Sequence, residues 1–316
     1  LDALDALESE VGDEAGLMPT LLRKLALRDV PLERRREWLS RYGGLAAAHG
    51  QTDAARAAFE ELVAHEGGHL AAVRWLAADA AARGDAEASE RHDARLVATG
   101  GVPPEEQRAA RRRLAARARG QERLGDAETH LWAAVELAAG AEQVELLVEL
   151  EAVYAEAQRW ADLVVVLNHH IATVADDDSR LPLELRRVAV LADELGTPNL
   201  AVEAAQAAVE RDGARPPLLS ALAGVLARVA AASSDDDEAA ARWRETAAAR
   251  GRLDDFAGTA DALLAALERK PADASLVDEL ATLLGDLGDT ARLRRAHELH
   301  LGTLDGAARL PLLHQL

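Results

Sequence analysis

The chain contains no cysteine. Disulfides, thiolate metal sites and a cysteine nucleophile are thereby excluded, while the compartment stays open. Aromatic side chains make up only 3% of its 316 residues, with two Phe and two Tyr. Bulky fillers for one large spherical core are therefore missing. Lysine is nearly absent: Lys24 and Lys270 stand alone among 36 basic residues, and the rest are Arg. That bias reads as the coding habit of a high-GC bacterial genome rather than as function. No apolar run reaches the roughly 18 residues of a membrane-spanning helix, so no membrane insertion is expected. No secretory leader is visible, which points to the cytoplasm and leaves the periplasm open. The chain starts at Leu1 without Met and stops at "LPLLHQL" (Leu310 to Leu316). Both ends are expected to be cut from a longer protein.

Catalytic signatures are also missing. Neither Lys follows a Gly-rich stretch, so there is no phosphate loop, and GxGxxG and GxSxG do not occur. No catalytic residue, cofactor or metal is expected, and the chain is not expected to be an enzyme. His65 and His69 in "HEGGH" are four apart, but two glycines between them place them across a helix end. His169 and His170 are adjacent and cannot face the same way. His297 and His300 share a face and fall on an apolar stripe, where packed histidines are expected. The Asp triplets 176–178 and 235–237 lack the alternating spacing and closing Glu of a calcium loop. Helix capping explains them better. The formal net charge of −19 disfavours nucleic acid, which needs a cationic footprint.

What is present is 49% hydrophobic residues, led by Ala and Leu. With Arg and Glu these are the strongest helix formers, so the chain reads as all-α in thin layers. It also repeats. "AAHGQTDAARAAF" (Ala47 to Phe59) returns as "AAARGDAEASERHD" (Ala80 to Asp93), with Gly50 and Gly84 34 residues apart. The same anchor is read at Gly125, Gln158, Gly196, Asp254 and Gly288, and by stepping back at Gly16.

Before the anchor runs an apolar stripe at helical spacing, such as Leu39, Tyr42, Gly43 and Ala46, or Leu185, Val188, Ala189 and Ala192. After it runs a second, such as Ala55, Phe59, Leu62 and Val63. Each unit is thus two helices joined by a short turn. Gly at the anchor suits a left-handed helix end, and the polar residue after it suits the next helix start. The step from Gly196 to Asp254 is 58, so an extra helix or a distorted unit lies there, with "AASSDDDEAA" (Ala231 to Ala240) as its loop and N-cap.

These units resemble tetratricopeptide repeats. The match lies in small residues at Gly43, Ala77, Ala189 and Ala281 on first helices, at Ala55 and Ala201 on second helices, and in Pro271 at a unit's end. It is best for 36–100, 182–213 and 254–304, and weaker for 111–175, where His130 and Leu163 stand at the small position. The resemblance implies a right-handed α-α superhelix, an α-solenoid of stacked antiparallel helix pairs. Residues 1–316 would form one continuous solenoid of about eight units, irregular at 214–252.

In the family, first helices line a concave groove that takes a peptide or a partner helix. That places Glu37, Ser40, Arg74, Trp75, Arg112, Arg119, Glu149, Arg186, Arg187, Asp278 and Glu279 as candidate partner-binding residues. The Arg cluster could read carboxylates, or its members could be ordinary solvated charges paired between units. Trp38, Trp132, Trp160 and Trp243 are read as gap fillers between units. The Lys/Asn clamp that some members close on a C-terminal carboxylate is disfavoured, because Asn168 and Asn199 are the only Asn and lie near or on second helices. The function expected is a non-catalytic protein-interaction scaffold with a protein or peptide partner, able to join a larger complex. The alternatives are a regulatory or sensor arm of a larger enzyme, such as a kinase, NTPase or protease, and a structural spacer in an envelope or filament assembly. Ala55 is read as the point where two helices touch.

Overall fold

Left-handed residues punctuate the backbone, and they locate the repeat. A positive φ occurs at Gly50, Gly84, Gln158, Gly196, Asp254 and Gly288, as the anchor pattern predicts. The anchor between 84 and 158 differs. Gly125 lies inside a helix, and the left-handed residue is Glu122, with φ of 60°. Gly16 also lies inside a helix rather than at a turn. In both places a glycine drew the sequence reading, although left-handed geometry tolerates other residues at a modest cost.

The computed structural model describes residues 14–305 and residue 309. Among the described residues every regular element is helical. The chain divides into two compact units, Leu1–Val153 and Tyr154–Leu316. The first unit holds α1 (Glu14–Leu25), α2 (Leu32–Ala48), α3 (Thr52–His65), α4 (Leu70–Arg83), α5 (Ala86–Ala98), α6 (Pro104–Gly120) and α7 (Leu124–Val135). Helix α8 (Ala141–Glu156) runs across the division. The second unit holds α9 (Trp160–Thr173), α10 (Asp177–Ala189), α11 (Pro198–Asp212), α12 (Pro216–Ala232), α13 (Asp236–Gly251), α14 (Phe256–Arg269), α15 (Ala274–Leu287) and α16 (Thr290–Leu301).

Within each unit, helices pack mainly on their neighbours in the chain. Antiparallel pairs α2–α3, α4–α5 and α6–α7 stack in the first unit, and α10–α11, α13–α14 and α15–α16 in the second. This is the architecture of an α-solenoid, in which each hairpin buries its apolar face on the next. Helix α12 is the extra helix expected between Gly196 and Asp254. It is apolar on two sides, with Leu218, Leu219, Leu222, Val225, Leu226 and Val229 all buried. The acidic stretch after it behaves as expected: Asp235 accepts from the backbone N–H groups of Asp237 and Glu238 and starts α13.

The close approach within the first hairpin rests on small residues. A Cβ built on Gly43 would lie 2.6 Å from Cε1 of Phe59, so only glycine lets α2 and α3 meet there. Ala55 is fully buried on the facing side. The hinge at Glu122 also changes which residue of α7 touches α6. Counting five past the hinge, as Ala55 follows Gly50, gives Ala127, which is fully buried. His130 does not hold that position, so the third hairpin follows the small-residue rule after all.

Ala189, expected on the inner stripe, is exposed. The cause is a π-turn at Val190–Glu194, closed by Leu195 N–H donating to the carbonyl of Val190. The wider turn inserts one residue and rotates the upstream helix relative to its hinge. Val188, Val190 and Leu191 fill the interior instead.

Candidate partner-docking surface

First helices α2, α4 and α6 present outward the residues six and ten before each hinge, while the residue seven before turns toward the second helix. With Glu122 as the third hinge, Arg74 lines up with Arg112, Ala77 with Ala115, and Ala78 with Ala116. The outermost positions, Gly44, Ala78 and Ala116, are small and exposed. Two shallow troughs result. One of about 320 Å³ lies between α4 and α6, floored by Ala77, Ala78, Ala81 and Leu96. The other, of about 380 Å³, is floored by Ala115, Ala116, Leu131 and Val153.

Arginines cross these troughs as rungs. Arg74 donates from Nε and Nη2 to the two carboxylate oxygens of Glu106, both at 2.7 Å. Arg112 donates to Glu149 at 2.7 Å and to Glu145 at 3.0 Å. The hydrogen bond with Glu149 raises the Arg112 guanidinium above its ordinary value. Two sequence candidates, Arg112 and Glu149, are thus paired with each other, and Arg74 is paired with Glu106 of the next first helix. Their charges couple neighbouring hairpins. Arg119 borders the second trough. Trp75 is half-buried, its ring 5.3 Å from that of Phe59, so most of its surface serves the core.

Helix α6 also carries a basic run, "ARRRLAARAR" (Ala110 to Arg119), whose Arg113 and Arg117 are likewise paired with an acid. Asp93 of α5 is 1% exposed, and Arg113 and Arg117 donate to its carboxylate at 2.6 and 2.9 Å. Ser89, which stands five past Gly84, accepts from Arg117. Such a buried acid needs paired donors to remain charged. Its signal in the sequence was only an Asp and a Ser four apart on the inner side of α5.

Glu37 is exposed, and Ser40 contacts His69 Nε2 at 3.2 Å. This Ser–His pair has the separation of a nucleophile and its base. Its hydrogen bonding points the other way. Nδ1 of His69 accepts the backbone N–H of Ala72 at 3.3 Å, so in the neutral ring the proton sits on Nε2 and is donated to Ser40. In that tautomer Nε2 has no lone pair to take the Ser40 proton.

In the second unit the candidates do not converge. Arg186 is exposed. Arg187 is turned inward by the π-turn and donates to Asn168 at 2.9 Å and to the Ala204 carbonyl at 3.2 Å. Burial pulls its guanidinium below the ordinary value. Asp278 and Glu279 lie on the open face of α15. His297 and His300 are packed in the core, where burial, followed by the nearby His300, lowers His297 below the usual imidazole value. Nδ1 of His300 lies 2.7 Å from the carbonyl of Pro271. His65 and His69 lie on either side of the α3–α4 turn, as the glycines between them required. No described helix is long and apolar enough to cross a membrane.

The fold is a stack of helical hairpins of tetratricopeptide-like type. No protein-family model and no curated protein matches the chain. Among solved structures it is similar to a chain in the structure of Naa15/Naa10 bound to HypK-THB, at 14% identity and a TM-score of 0.42, over 98% of this chain and 44% of that one. It is also similar to the TPR domain of P58(IPK), at 12% identity and a TM-score of 0.29, over 99% of this chain and 97% of that one. The chain spans less than half the length of the first of these.

Proposed function

We propose that the chain is a non-catalytic scaffold that holds a protein or peptide partner along the outward faces of α4 and α6. The observation that carries this reading is the repetition of an alanine-floored trough in the same register between successive first helices. Small exposed residues at Ala78 and Ala116 leave the trough floors open to the close approach of a docked helix or extended peptide. The arginine rungs fix the spacing of the troughs and leave their floors open. Protein partners rather than nucleic acid suit the net charge of −19.

Substituting Arg74 and Trp75 would confuse binding with stability, since the first links α4 to α6 and the second packs on Phe59. Ala78→Glu with Ala116→Glu is the cleaner variant, because both residues are exposed. Ala57→Glu, on the exposed side of α3, is its control. In affinity capture followed by mass spectrometry, partners held by the natural chain and by the control are expected to fall at least about tenfold with the double variant, the loss that burying unpaired charge in an interface brings. Equal capture by all three proteins contradicts the proposal.

A further inference from the structure

Where a side chain caps a described helix, that side chain is mostly Asp: Asp85, Asp176, Asp235, Asp255, Asp273 and Asp289. Helix α4 departs from that habit and is capped by His69. An Asp carboxylate keeps its lone pairs throughout the neutral range. An imidazole accepts through Nδ1 only while that nitrogen carries no proton, and histidine changes charge within physiological pH. The acceptor role of Nδ1 toward Ala72 and the contact of Nε2 with Ser40 on α2 give the ring two jobs at one junction between hairpins.

We propose that His69 is an acid-sensitive latch at the start of α4: neutral, it caps the helix and ties it to α2; protonated, it releases the Ala72 N–H. Protonation turns Nδ1 into a donor facing another donor. It also sets a positive charge at the positive end of the helix dipole. The ring has somewhere to go. It borders an open hollow of about 430 Å³ that also holds Glu33, Arg36, Glu37 and Arg41 of α2 and Glu66 of the preceding turn. Arg36 is held by Glu33 at 3.0 Å and by the His65 carbonyl at 2.8 Å. Glu37 and Glu66 are the carboxylates of that hollow toward which an imidazolium is drawn, and Arg41 opposes the move. The consequence is a looser first turn of α4, ahead of Arg74 and Trp75. The latch stands on its own hydrogen bonds and does not depend on the proposed docking function.

The test is NMR on the intact chain between pH 8 and pH 5. Ring nitrogen shifts report the tautomer of His69, and amide exchange, expressed as protection factors, reports the cap. At pH 8 the ring is expected as the Nε2–H tautomer. As it titrates, the Ala72 amide should lose protection about fivefold, the factor that corresponds to an ordinary N-cap. The Ala88 amide, held by Asp85 at 3.0 Å, should keep its protection through the same range. His92 lies on that same helix and burial lowers its imidazole below the usual value, so a general acid loosening would appear at Ala88 as well. In His69→Asn the cap persists without a titrating group, and Ala72 protection should become independent of pH. An Nδ1–H tautomer at pH 8, or Ala72 protection that does not change while His69 titrates, overturns the proposal. So does parallel loss at Ala72 and Ala88.

Discussion

Glu184→Ala is expected to cost about 3–5 kcal/mol in denaturant unfolding, the scale for breaking a buried ion pair by removing one partner. The Glu184 side chain is fully buried and accepts from Arg211, while Arg187 approaches it at 2.6 Å. Asp212, 1% exposed, takes Arg180 at 2.9 Å and Arg211 at 3.2 Å. Arg211 therefore bridges two buried acids and joins α10 to α11. Without Glu184, Arg187 keeps its burial and loses its carboxylate. Two comparisons isolate the cause. Glu184→Met combined with Arg187→Met should cost less than Glu184→Ala alone, because no uncompensated charge stays behind. Asp178→Ala removes the partner of Arg215 from a carboxylate that is 83% exposed, and should change stability by no more than about 0.5 kcal/mol. A Glu184→Ala loss as small as that of Asp178→Ala would show that the network adds nothing to the fold.

The second large effect belongs to the helix contact of the first hairpin. Ala55→Leu should destabilise by about 1–3 kcal/mol through overpacking. Ala57→Leu, two residues on and exposed, should be nearly neutral. Gly43 on α2 leaves no slack nearby, since a Cβ added there would lie 2.6 Å from the Phe59 ring. Equal unfolding midpoints for the two variants would mean that α3 does not present Ala55 to α2.

Much of this architecture was legible because it is periodic and local. Six left-handed turns, the capping aspartates and the extra helix at Pro216–Ala232 follow from residues within a few positions of each feature. The exceptions share a physical cause. Glu122 holds a left-handed φ that glycine would take at less cost, and Gly125, three residues on, attracted the assignment. The π-turn at Val190–Glu194 leaves no mark in composition, yet it decides that Arg187 and Glu184 point inward. The surface was read only in part. The charged residues of the first helices were found, but not which of them pair, because Arg74 with Glu106 and Arg112 with Glu149 are pairs 32 and 37 residues apart. The alanines between those rungs line up only once the hinge is moved to Glu122.

The register across α6 and α7 decides which side chains reach the second trough, and two conservative substitutions read its sign. With the hinge at Glu122, Glu122→Gly relieves a left-handed non-glycine residue and should raise stability by about 0.5–1 kcal/mol. Gly125→Ala, in the first turn of α7, should raise it by a similar amount, about 0.5–1 kcal/mol, through helix propensity. Thermal unfolding of both variants beside the natural chain is the direct measurement. A higher Tm for each is the predicted result. A lower Tm for Gly125→Ala with no gain from Glu122→Gly would return the hinge to Gly125 and dissolve the alignment of Ala78 with Ala116.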